Sequence, residues 1–176
     1  MSEADLTADT EPGPDDLAGA ERWIGYLDWL RSDIIRAVLA LSPQEQRHSR
    51  LTSGWTPLEL LSHVLHMEQR WFVWGFLAEP VDEPYGDWTP HHTHWQVPAE
   101  VTAERLVARL EQVADRTRTV IRRHGMATPA APGGRFETAP TPTLEWICLH
   151  VVAEYARHAG HLDIVSELAN GANPES

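Results

Sequence analysis

The chain contains no lysine and a single cysteine, and each scarcity removes a class of chemistry. All 14 of its Lys and Arg residues are arginine, so Schiff-base catalysis on a lysine is excluded. We read the bias as that of a GC-rich genome. One thiol, Cys148, permits neither an intramolecular disulfide nor a cysteine-based zinc motif, which leaves histidine and carboxylate as the available metal ligands. Positive charge is also in deficit: 26 acidic residues against 14 basic ones give a formal charge of −12. That balance argues against nucleic acid or an anionic membrane surface as the main partner. Long apolar runs are missing as well. The longest, around Trp71 to Ala78, is far short of a membrane span, and the N-terminus lacks the charged-then-apolar order of a signal peptide. A soluble, cytoplasmic protein is the expectation. Neither a Gly-rich phosphate loop nor a nucleophile-elbow serine is present.

At 176 residues the chain is long enough to bury a core in one domain without disulfides or a structural metal. Residues 1–16 are acidic, carry Pro12 and Pro14, and have almost no large apolar side chain, so they read as a disordered lead-in. Residues 17–170 are expected to form a single domain and 171–176 a short tail.

Four helical segments are predicted. The first runs from about Asp16 to Leu41, with Trp23, Tyr26, Leu27, Leu30, Ile34, Val38 and Leu41 at helical spacing and Ser42-Pro43 closing it. The second starts at Thr56-Pro57-Leu58-Glu59, an N-cap threonine, a first-turn proline and a glutamate three residues on, which together predict a capping box. It continues to about Leu77, with Leu60, His63, Met67, Trp71 and Trp74 along one stripe. The third covers Thr102 to about His124, with Leu106, Leu110, Val113, Thr117, Val120 and Ile121 inward. The fourth spans about Thr141 to Ala169 and ends at Asn170-Gly171, a pattern suited to a left-handed C-cap. Two Pro-rich loops, Ala78 to Ala99 and Met126 to Pro140, separate the helices. The first is long enough to suggest a function of its own. With no strand pattern and no repeat, the fold class is all-α, a four-helix bundle with long connections.

The fourth helix carries the most informative pattern. His150, Glu154, His158 and His161 fall within an arc of about 80° on a helix advancing roughly 100° per residue. Ile147, Val151, Leu162, Val165 and Leu168 share that face or border it. Three imidazoles and a carboxylate on an apolar face are costly to desolvate unless something pairs with them, and a metal ion is one such partner. Glu154 and His158 offer two ligands one turn apart, and His63 on the second helix is the best third. His161 could take the place of Glu154 or act as a neighbouring base. The competing interpretation is a set of separately hydrogen-bonded core histidines, which would need several independent partners.

Other features carry less. His91, His92 and His94 read as a solvated cluster or a cap over the site. Trp23, Trp71, Trp74 and Trp146 lie at helical spacing and read as core, and Cys148 as an inert apolar residue. Arg157 lies beside the ladder, where a guanidinium could hold a substrate carboxylate, although a solvated charge is the simpler reading.

The stretch His150-Val-Val-Ala-Glu154-Tyr155-Ala-Arg157-His158-Ala-Gly160-His161-Leu-Asp163, preceded by Leu144-Glu-Trp146-Ile, resembles the final helix of DinB-like proteins. Within that superfamily it is similar to an actinobacterial branch long labelled a domain of unknown function. Pro57-Leu-Glu-Leu-Leu-Ser-His63-Val-Leu-His-Met-Glu68-Gln-Arg-Trp71-Phe72 is similar to the second helix of the same branch. The resemblance covers residues from about 20 to 170. It implies a four-helix bundle with a divalent metal, often zinc or nickel, held by one residue of the second helix and two of the last. Carried onto this chain, the first ligand is His63. The pattern of mycothiol-dependent maleylpyruvate isomerases maps onto Glu154 and His158, while relatives with two histidines keep His161 open as the alternative to Glu154. Those isomerases carry a further C-terminal domain for which this chain is too short. The superfamily also includes bacillithiol and mycothiol S-transferases. The resemblance therefore implies a metal-dependent thiol S-transferase using mycothiol, acting on a small-molecule thiol and an electrophile. The alternative is a non-enzymatic, stress-related binding protein with a structural or vestigial metal site. A homodimer is compatible with either.

Overall fold

The helical periodicities become four long helices packed around one core in a computed structural model, which describes residues 10–82, 96–138 and 140–171. The helices are α1 (Gly19–Leu39), a short α2 (Pro43–Gln46), α3 (Pro57–Gln69), α4 (Ala103–Arg123) and α5 (Leu144–Gly171). Among the described residues the only strand-like pairing is an isolated bridge between Pro129 and Thr143. None of these helices is long and apolar enough to cross a membrane.

Local chemistry accounts for the boundaries. Ser42, expected to close the first helix, also opens the next: its Oγ accepts from the Glu45 amide at 3.2 Å and caps α2. The capping box at α3 forms as predicted, with Thr56 Oγ1 accepting from the Glu59 amide at 3.2 Å and Glu59 Oε2 accepting from the Thr56 amide at 2.8 Å. The helix that follows does not stay α-helical to its end. From Arg70 to Phe76 it widens into a π-helix. Gly75 permits that widening, because a Cβ there would stand 2.8 Å from the Arg70 carbonyl oxygen. At the other end of the chain, α5 runs through Asn170 and Gly171 rather than turning at them.

α1 packs on α5, α4 and α3, and α3 packs on both α4 and α5. Leu27, Ile34, Val38, Leu60, Leu61, Leu110, Ile147 and Val151 are essentially inaccessible. Each such side chain contributes roughly 1.5–3 kcal/mol of burial. Two inward positions differ from the periodic expectation. Ala114 rather than Val113 is buried on α4, and Ala169 rather than Leu168 on α5, where Leu168 is 45% exposed. In both cases the buried stripe steps four residues, from Leu110 to Ala114 and from Val165 to Ala169, where three was expected. Residues 10–16 turn back along α1, with the Tyr26 hydroxyl donating to Glu11 at 3.4 Å and Arg22 Nη2 donating to the Pro14 carbonyl at 3.2 Å.

Candidate metal centre

α3 and α5 cross antiparallel, and their register can be read from two ring pairs. His63 meets His158 with ring centroids 4.7 Å apart, and eight residues further on, in the π-helix that continues α3, Trp71 meets His150, eight residues earlier on α5, at 4.2 Å. The capping box fixes the start of α3, and His63 follows two turns into the helix, facing the seam. His63 Nε2 lies 3.1 Å from His158 Nε2, and His158 Nε2 lies 3.5 Å from Glu154 Oε2. One ligand atom from each of His63, Glu154 and His158 lies within 4.8 Å of the others. Both histidines are buried, whereas the Glu154 side chain is 27% exposed, so the trio opens toward solvent on the carboxylate side.

This donor set fits a divalent ion. Zinc–nitrogen bonds of about 2.0–2.1 Å place tetrahedral ligands roughly 3.4 Å apart, close to the spacings between these side chains. Without an ion, only one proton can occupy the short gap between the two Nε2 atoms, so one imidazole donates to the other. A cation between them would instead receive the lone pairs of both rings and of the carboxylate.

The rest of the ladder takes its place around the trio. His161 is not in the group of mutually close ligand atoms. Its ring lies 5.5 Å from that of His158 and 6.1 Å from that of Trp55, half-buried at one end of the site. At the other end His150 packs between Trp71 and Trp146, with the Trp146 ring 5.3 Å away and only 9° from parallel. Burial holds the His150 imidazole below its ordinary pKa and Arg135 adds to the effect, while Glu154 opposes it. The loop before α5 is ordered by the fold. Ala131 donates its amide to the Phe76 carbonyl at 2.9 Å, and a short 3₁₀ turn, Gly134–Phe136, brings Arg135 to 4.2 Å from the Trp71 ring centroid. Gly134 has a φ of 51°, and a Cβ on it would stand 2.2 Å from the Trp74 carbonyl oxygen, so the turn requires glycine.

Sequence reasoning missed a second buried polar group on the same helices. Glu68, fully buried on α3, accepts from Arg31 Nε at 3.1 Å, from Arg31 Nη2 at 2.9 Å and from the Tyr155 hydroxyl at 2.5 Å. Arg31 also donates to Asp28, which Arg118 Nε bonds in turn at 3.0 Å, carrying the network to the surface. Burial disfavours the Arg31 cation, but Glu68, Tyr155 and Asp28 more than compensate and raise its pKa above the ordinary arginine value. Burial and the Glu68 carboxylate together hold the Tyr155 hydroxyl well above its ordinary range, so it remains a donor. A signal was available: Arg31 falls on the stripe of Leu27, Leu30, Ile34 and Val38, and a charge on such a stripe calls for a buried partner of opposite sign.

Cys148 is fully buried, and burial pushes its thiol up to about 12, which makes it a poor nucleophile. Arg157 is exposed. His91, His92 and His94 lie outside the described residues. A cavity of about 800 Å³ between residues 10–17, α1 and α4, bordered by Glu21, Asp28, Arg118 and Arg122, shares no residue with the trio.

No curated protein matches the chain. The profile of the Mycothiol-S-transferase family matches residues 23–171, from the first turns of α1 to the last residue of α5. That span takes in His63, Glu68, Glu154, Tyr155 and His158 together with α3, α4, α5 and most of α1. An all-α bundle of DinB-like type, the chain belongs to the Mycothiol-S-transferase family.

Proposed function

We propose that this protein is a metal-dependent thiol S-transferase, with mycothiol as the thiol and zinc or nickel as the ion. The observation that carries the reading is the spacing of the three ligand atoms, 3.1 Å between the imidazoles and 3.5 Å to the carboxylate. It is supported by the family profile spanning residues 23–171. His63 on α3, with Glu154 and His158 on α5, would hold the ion and leave a coordination position open on the solvent side of Glu154. Bound there, a divalent ion supplies the Lewis acidity that keeps a thiol ionised at neutral pH.

The protein's own groups do the rest. His63 and His158, buried on α3 and α5, would set the place of the ion and so of the sulfur, with the Trp55 ring beside His161 at one end and the Trp71 ring against His150 at the other. His161, half-buried and one turn from His158, receives the proton released by the thiol. Sulfur then bonds to the electrophilic carbon while the leaving group departs with its bonding pair. Cys148, buried with its thiol raised to about 12, takes no part.

The test is conjugation of mycothiol to monochlorobimane by metal-loaded protein and by protein stripped with a chelator. Metal-dependent product formation is expected, and equal rates in the two samples would sink the reading.

A further inference from the structure

The ladder on α5 does not stop at His150. One turn earlier Trp146 continues it, so that Trp146, His150, Glu154 and His158 stand at successive four-residue steps on one side of the helix. Trp71 braces this end from the π-helix after α3, with ring centroids 5.7 Å from Trp146 and 4.2 Å from His150. The two tryptophans differ in one decisive respect. Trp71 is 8% exposed and has Arg135 lying across its ring, whereas Trp146 leaves 49% of its surface open. The first is core. The second packs against two aromatic neighbours, stacking on His150, and leaves half of its surface accessible on the helix that carries Glu154 and His158.

Distance selects what that face could hold. Trp146 precedes Glu154 by two turns and a little more, about 12 Å along the helix axis. A small alkylating electrophile reacting with a sulfur at the trio cannot also cover Trp146. A thiol whose sulfur lies at the trio and whose body trails along α5 does reach it, provided the body ends in a ring. Sugar and cyclitol rings suit such a surface. Their C–H faces carry slight positive charge and pack on the negative face of the indole, while rim hydroxyls need a polar neighbour, here the His150 imidazole.

We propose that Trp146, braced by His150 and Trp71, receives the polyol-ring end of the thiol cosubstrate and so selects a sugar-bearing thiol over a bare cysteine derivative. The placement of the sulfur rests on the transferase reading above; the ring site rests on the geometry of Trp146.

Two measurements test it. In metal-loaded protein, the ratio of kcat/KM for mycothiol to that for N-acetylcysteine should fall about tenfold in Trp146→Ala and recover in large part in Trp146→Phe. It should not change in Leu149→Ala, a substitution beside Trp146 but off the ladder, where the leucine is 56% exposed. Independently, saturation-transfer NMR with glucosaminyl-inositol, the body of mycothiol without its cysteine, should show ring C–H contacts with wild-type protein that vanish in Trp146→Ala. An unchanged ratio overturns the proposal. So does a loss that falls on the KM of monochlorobimane instead, or an equal loss for both thiols. If wild-type protein binds glucosaminyl-inositol through Trp146 but conjugates no thiol, the transferase reading fails and the ring site stands. If it conjugates mycothiol with a ratio indifferent to Trp146, the ring site alone fails.

Discussion

Two polar clusters lie a few residues apart along α3 and α5, one of them tied also to α1, and they solve the problem of burial in opposite ways. Glu68 on α3 is met by the Arg31 guanidinium at 3.1 and 2.9 Å and by the Tyr155 hydroxyl at 2.5 Å, so an acid, a base and a neutral donor satisfy one another. Five residues earlier on α3, and one residue earlier on α5, His63 and Glu154 join His158 in a group of two imidazoles and a carboxylate. Donors balance acceptors in the first cluster, which closes it and makes it part of the core. The second has more lone pairs than donors, with one ligand atom of each residue within 4.8 Å of the others, and a cation is what such a set accommodates. Burial alone therefore does not separate a structural polar group from a functional one. The balance of donors and acceptors does.

That contrast can be broken by substitution. The largest effect is expected at the acceptor cluster: His63→Ala and His158→Ala should each lose stoichiometric metal, measured by elemental analysis of purified protein, with mycothiol conjugation falling to background. Metal retained in His63→Ala would remove the inter-helix site. At the closed cluster, Glu68→Ala should destabilise the fold by about 3–5 kcal/mol, because it strands the buried Arg31 cation, while the folded protein still binds metal. Urea denaturation with parallel metal analysis checks this, and loss of metal from the folded Glu68 variant would show that the two clusters are one unit. Tyr155→Phe removes one donor and leaves the ion pair, so about 1–2 kcal/mol is expected in the same assay. Smallest is Thr56→Ala, which opens the capping box two turns before His63 and should cost about 1 kcal/mol with metal content unchanged.

The difference between the clusters also explains what could be read in advance. His150, Glu154, His158 and His161 are regularly spaced within one helix, so their common face follows from helical geometry without knowledge of the partner helix. Arg31, Glu68 and Tyr155 come from three helices far apart in sequence, and nothing local to any of them announces the other two. The widening at Arg70–Phe76 was equally hidden, since its apolar residues suit an α-helix and only the Gly75 contact with the Arg70 carbonyl reveals the π geometry. Trp146 reads as core by spacing, yet it is half exposed because it stands at the first turn of α5, where the bundle covers only one side of it.

By itself the sequence determined the four long helices, the Thr56 capping box, the all-α class and the ladder, because hydrophobic periodicity and capping chemistry act over a few residues. Tertiary structure decided which ladder members converge. The antiparallel register of α3 on α5 brings His63 to His158 and Glu154, leaves His161 beside Trp55, and sets His150 between two tryptophans. Register is a property of two helices packed together, with side chains from both filling the space between them, and no stretch of one helix contains it.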